Sequence, residues 1–211
     1  MEKPQIVSAE QWQAARAELL AAEKELTRAL DRQAAARRRL PMVKFANEYV
    51  FDSPSGGKSL LDLFDGRGQL AVYQFMDNGP DHFCPGCTHF TDNVPDHALV
   101  GLAEAGVSWA TVSNMPLAQI ESYKARRGWT LPFVSSRGTS FTEDCGVSAV
   151  GGFMFSVFLR DGDDIYRTYN TTSRGVDRLL FTHNILDLTA YGRQEDWEDS
   201  PVGWPQHPTY G

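Results

Sequence analysis

The sequence has little cysteine, three residues in 211. So low and odd a count is unlike the dense, even-numbered framework of a small secreted disulfide scaffold. No apolar run approaches the ~20 residues that a membrane-spanning helix needs. The first thirty residues hold no apolar segment of the kind a secretory signal carries, so the expected address is a reducing cytoplasm. Positive charge is not in excess: 20 Lys and Arg against 27 Asp and Glu leave a net charge of −7. That balance argues against a nucleic-acid partner. There is no phosphate-binding glycine loop and no internal repeat. Proline is missing from the long stretch between Phe133 and Pro201. What is present is ordinary globular material, 42% hydrophobic and 11% aromatic. A chain of this size buries about 70% of its unfolded surface, which suits one domain with an appendage.

Two of the three cysteines sit together in His82-Phe83-Cys84-Pro85-Gly86-Cys87-Thr88-His89. Strand-like sequence (Gln69 to Met76) precedes them and helix-like sequence (Thr88 to Glu104) follows. A Cys-x-x-Cys at a strand-to-helix junction reads as a redox dithiol. Pro85 suits the first helical position, where its missing N–H costs nothing. Cys84 then lies where free N–H groups and the helix dipole favour a thiolate, below the usual thiol value of ~8.5. Cys87, one turn in, is placed to attack a mixed disulfide on Cys84. The same residues support a second reading. His-x-Cys-x-x-Cys-x-His offers two thiolates and two imidazoles, a donor set for zinc or copper. Against it, His89 is only two residues beyond Cys87, a spacing that points helical side chains apart. A third reading leaves the two cysteines inert.

The rest of the chain supplies an order of elements. Ser8-Ala9-Glu10-Gln11 has the pattern of a capping box opening a long helix over residues 9 to 39. Trp12, Ala15, Leu19, Ala22, Leu26 and Ala29 make a narrow apolar stripe along it, which predicts a homodimer through this helix. Leu40-Pro41 stops it. Met42 to Asp52 reads as a strand or hairpin, Ser53 to Gly57 as a turn, and Ser59 to Asp65 as a short helix. Leu70 to Met76 is apolar nearly throughout, so a central strand. Pro95 should divide the helix after the dithiol. Val107 to Ser113 is a strand, Pro116 to Arg127 a helix, and Leu131 to Ser135 a shorter strand, so the strands should be parallel with helical crossovers. Phe153 to Arg160 and Asp164 to Tyr169 read as a hairpin turning at Asp161-Gly162. Val176 to Leu186 reads as a last helix. The tail from Gly192, rich in Trp, Pro and Gly, should either wrap the surface through Trp197 and Trp204 or stay mobile. Domain boundaries follow: 1–41 a helical extension, 42–190 the core domain, 191–211 a tail.

That order, with the dithiol after the first strand of a β-α-β-α-β run and a hairpin and helix to close, resembles the thioredoxin fold with peroxiredoxin-like N-terminal additions. Residues 59–76, the 84–87 dithiol, 112–129, 132–136, 159–163 and 191–204 (YGRQEDWEDSPVGW) together resemble the bacterial family known as domain of unknown function 899. The resemblance implies a thioredoxin-like α/β fold and a dithiol-disulfide oxidoreductase, with Cys84 nucleophilic and Cys87 resolving. It implies a protein or small-molecule thiol or disulfide as substrate, and no cofactor, copper or zinc being the alternative. In this fold the loop of Cys145 approaches the dithiol, so Cys145 is a candidate third thiol or metal ligand beside His82, Cys84, Cys87 and His89; an isolated buried cysteine is the plainer reading.

Two thioredoxin features have no clear counterpart. The proline that faces the dithiol would fall near Met154, where there is none. The buried carboxylate that accepts a proton would fall in Tyr73-Gln74-Phe75, leaving Asp77, Asp81 or His82 as candidates. The peroxiredoxin Pro-then-Thr pattern is not met before Cys84, where Asp81 stands three residues back. Trp109, Phe133 and Phe155 read as core and Trp129 as core or pocket wall; His183 is given no role.

Overall fold

Ser8 opens the first helix as its sequence predicts. Its Oγ accepts the Gln11 N–H at 3.2 Å, and the Gln11 side chain accepts the Ser8 N–H at 3.0 Å. The helix, α1 (Ala9–Arg37), leaves Trp12, Leu19 and Leu26 exposed. The computed structural model describes residues 3–80, 82–148 and 151–209. These divide into two compact units: the residues up to Pro41 together with Leu186–Thr209, and Met42–Ile185. No helix of the described residues is long and apolar enough to cross a membrane.

The Met42–Ile185 unit carries every strand of the described residues, in one eight-stranded sheet. The stretch read as one strand or hairpin, Met42 to Asp52, is instead two strands at opposite edges. β1 (Val43–Phe45) pairs with the far end of the sheet, and β2 (Val50–Ser53) forms a hairpin with β3 (Gly56–Ser59) at the other. Both Phe45 and Phe51 still point inward, which is why the alternation looked continuous. Ser59 then caps a single helical turn, α2 (Leu60–Leu63), with Asp62 closing a capping box. β4 (Gln69–Gln74) is central and buried from Leu70 onward.

After it come α3 (Pro85–Asp92) and α4 (Asp96–Glu104), divided as Pro95 requires; Pro95 is the cap of the second. β5 (Val107–Ser113), α5 (Leu117–Arg127) and β6 (Phe133–Ser135) complete the parallel part. Gly128 ends α5 at φ +71°, a conformation that costs glycine little and other residues more. One turn, α6 (Phe141–Asp144), leads to the antiparallel hairpin β7 (Met154–Asp161) and β8 (Asp164–Thr171). The segment read as one last helix is a 3₁₀ turn over Ser173–Leu179, an extended Leu180, and α7 (Phe181–Leu186). The sheet order is β1-β8-β7-β4-β5-β6-β2-β3.

Alternation along β4 builds two cores, one on each face. Leu70 and Val72 point to the face that holds Phe51, Phe64, Phe141, Phe158 and Cys145. Ala71, Tyr73 and Phe75 point to the face that holds Cys84, Cys87, Phe90, Phe133 and Phe155, with Trp109 and Trp129 packed against it. Burying each large apolar side chain is worth roughly 1.5–3 kcal/mol.

In the other unit the tail is closed on itself. Glu195 and His207 form a bridge, and the Arg193 guanidinium pairs with Asp187 at 2.7 and 2.8 Å. Tyr191 packs edge-on against Trp204, with ring centres 5.1 Å apart.

Candidate active site

The dithiol is held where β4 ends. Phe75 N–H still bonds Val112 O at 2.7 Å, and the chain then leaves the sheet. It folds back at once. Asp77 bridges Phe83, the Asp77 carboxylate accepts the Gly79 N–H at 2.9 Å, and the Gln119 amide donates to Gly79 O at 3.0 Å. Gly79 sits at φ +93°, which a side chain would strain. This closed loop returns Cys84 over the end of the strand that it left.

Cys84 is the cap of α3, in extended backbone at φ −60°, ψ 119°, and Pro85 is the first helical residue. The Cys84 sulfur accepts the Cys87 N–H at 3.3 Å. The Cys84 thiol is lowered to about 6. The hydrogen bond from the Cys87 thiol is the largest cause; burial opposes it, and the Cys87 and Gly86 N–H groups and the charge of His82 assist. Cys87 is driven upward, first by that same bond to Cys84 and then by burial. Its sulfur also accepts the Met76 N–H at 3.5 Å. Cys84 keeps 9% of its surface and Cys87 1%, so Cys84 is the accessible one, though less open than a thiol at a helix mouth was expected to be. Both are free thiols.

Beside Cys84 runs an aromatic wall that the sequence did not announce. Phe83 stacks on Tyr123 at 3.6 Å, and Arg126 lies over both rings at 4.9 and 5.1 Å. Tyr123 meets Trp129 edge-on, its hydroxyl contacts Thr88 at 2.7 Å, and Trp129 donates to Asp92 at 2.8 Å. Trp129 is half-buried and packs against the dithiol core. Tyr73 was also missed as more than a strand residue: its hydroxyl hydrogen-bonds the Cys87 sulfur.

The other candidates are not brought together. Cys145 is fully buried, but across the sheet from the dithiol, in the Phe141–Phe158 core. The expectation that its loop approaches the dithiol is wrong, because α6 packs on the opposite face of β4. Burial pushes the Cys145 thiol up to about 12. His82 is exposed and acts on Cys84 through its charge. His89 turns away and stacks on buried His183, ring centres 5.0 Å apart. Of the candidates His82, Cys84, Cys87, His89 and Cys145, the last lies across the sheet and His89 is turned to His183. Among the described residues no group of three or more His, Cys, Asp or Glu is gathered to hold a metal ion. Asp77 spends its carboxylate on the loop, and Asp81 lies outside the described residues. At the start of β7, Met154 pairs with Gln74, and the residue before it is Phe153, packed against the dithiol core. An aromatic therefore occupies the neighbourhood in which thioredoxins carry proline.

A dithiol at a helix start, after the first strand of a parallel β-α-β unit closed by a hairpin, is the arrangement of the thioredoxin fold. The solved structure of peroxidoxin BcpB from Mycobacterium tuberculosis resembles the chain with a TM-score of 0.51 and 19% identity, over 68% of this chain and 95% of that one. A mutant of PrxQ from Xylella fastidiosa resembles it with a TM-score of 0.44 and 17% identity, over 69% and 94%. No curated protein matches the sequence. The family model described as bacterial protein of unknown function, DUF899, matches residues 1–210, and the chain belongs to that family.

Proposed function

We propose that this protein is a thiol-disulfide oxidoreductase in which Cys84 attacks and Cys87 resolves. The observation that carries the reading is the Cys84 sulfur at the cap of α3, accepting the Cys87 N–H at 3.3 Å beside a shielded second thiol. Backbone donors and the helix dipole stabilise negative charge on that sulfur. In the cycle, the Cys84 thiolate attacks one sulfur of a substrate disulfide. A Cys84–substrate disulfide forms and the other half leaves as a thiolate. Cys87, deprotonated, then attacks the Cys84 sulfur and expels the second half. Two electrons have moved to the substrate and Cys84–Cys87 is oxidised; a thiol donor reverses the sequence. The aromatic wall of Phe83 and Tyr123, with Arg126 above it, is the surface against which a substrate would lie.

Disulfides are favoured over peroxides. The peroxidatic Pro-Thr pattern is missing before Cys84, and the neighbour called a peroxidoxin shares only the fold. A redox titration of the Cys84–Cys87 pair, with metal quantified in the same tag-free protein, tests the reading. A two-electron couple that disappears in Cys84→Ser supports it. Stoichiometric metal that blocks thiol oxidation overturns it.

A further inference from the structure

The cycle asks something of Cys87 that Cys84 cannot supply. In the reduced protein the Cys87 thiol donates to the Cys84 thiolate. Once Cys84 is tied up in a mixed disulfide that acceptor is gone, yet Cys87 must lose its proton to attack. Its sulfur is almost wholly buried, which favours the neutral thiol. Two donors reach it. One is the Met76 N–H at 3.5 Å. The other is the hydroxyl of Tyr73. Among the described residues no carboxylate acts on it.

Tyr73 is held for this position. It is 2% exposed, on the face of β4 that looks at α3. Its ring stacks on Phe90 at 3.8 Å with 11° between planes. Phe90 is about one turn beyond Cys87 on α3, so the stack fixes the hydroxyl beside the sulfur.

We propose that Tyr73 is the positioning residue of the resolving step, its hydroxyl holding the Cys87 thiolate as it forms. This rests on the dithiol reading above and adds to it the group that holds the forming thiolate. The proton of Cys87 leaves to solvent. The Cys87 sulfur bonds to the Cys84 sulfur, the Cys84–substrate bond breaks, and the electron pair departs on the substrate thiolate. Tyr73 keeps its own proton and only donates.

The test uses the full reduced chain, a chelator and dithiobis-nitrobenzoate as the disulfide. Attack by Cys84 releases a first coloured thiolate, and resolution by Cys87 a second. Tyr73→Phe keeps the ring and its stack. It should leave the first release unchanged and slow the second by about tenfold to a hundredfold, as expected for one lost hydrogen bond to a charged group. It should also move the pH midpoint of the second release upward. Fluorotyrosine incorporated in place of Tyr73, a stronger donor, should move that midpoint downward, which keeps the test open if the phenylalanine variant folds poorly. Phe90→Leu keeps the hydroxyl but loosens the stack that holds it, and should move the midpoint upward by no more than Tyr73→Phe does. A second release in Tyr73→Phe with wild-type rate and midpoint overturns the proposal, as does a midpoint shift in Phe90→Leu larger than that in Tyr73→Phe. Failure of the first release in the unmodified chain overturns the dithiol reading itself.

Discussion

Cys87 and Cys145 are buried almost equally, 1% and 0% exposed, on opposite faces of the same strand. Cys145 ends a single helical turn in the Phe141–Phe158 core, with no second thiol beside it. Cys87 lies one turn inside α3 with a thiolate neighbour and two donors at its sulfur. Burial raises both thiols. It also raises Cys84, and there it loses to the hydrogen bond from Cys87 and to the backbone donors of the helix start. Residue type and burial therefore do not set thiol reactivity in this chain. What lies at the sulfur does: for Cys84, the Cys87 thiol first and then the backbone donors of the helix start.

The sharpest way to break this comparison is to remove Cys84. Cys84→Ser should abolish mixed-disulfide formation, whereas Cys87→Ser should let the mixed disulfide accumulate; trapping with an aromatic disulfide and mass measurement reads both. Next in size is the contrast in labelling. At pH 7 the thiolate fractions implied by values of about 6 and about 12 differ enormously. Lower nucleophilicity of the more acidic thiol takes back part of that, leaving Cys84 faster than Cys145 by about a hundredfold or more in the folded protein. Peptide mapping after a short exposure to iodoacetamide would show it. Comparable labelling of Cys145 would erase the distinction between the faces.

Stability should divide the other way. Phe158 is fully buried in the Cys145 core and touches nothing of the dithiol. Phe158→Ala should cost about 3–5 kcal/mol by denaturant unfolding while leaving the thiol chemistry intact. The smallest expected effect belongs to His82, the last of the causes acting on Cys84. His82→Gln should raise the Cys84 alkylation midpoint by less than about one pH unit. A larger shift would mean that the imidazole, and not the backbone, sets the thiolate.

The sequence was most legible where local chemistry decides structure. Ser8 and Ser59 cap their helices, Pro85 and Pro95 start theirs, and Gly128 stops one. The central strand and the dithiol at its end were readable because a long apolar run and a Cys-x-x-Cys are both contiguous signals. What failed was non-local. Alternation from Met42 to Asp52 gives the correct inward faces, but says nothing about two short strands lying at opposite edges of the sheet. The resemblance to the thioredoxin fold places the loop of Cys145 beside the dithiol, whereas the face of a sheet on which a loop packs depends on tertiary closure. Tyr73 lay in plain view as a strand residue. Its role depends on a helix turning back over that strand, which no window of the sequence contains.

The central claim is that the Cys87 thiol and the helix start together make Cys84 the attacking thiolate. Its most direct test is the alkylation rate of each cysteine against pH, in fully reduced, metal-free protein. The account predicts that Cys84 labels first and that its rate rises to a plateau with a midpoint at about 6. A Cys84 midpoint at or above the ~8.5 of a free thiol, or faster labelling of Cys87, would contradict it.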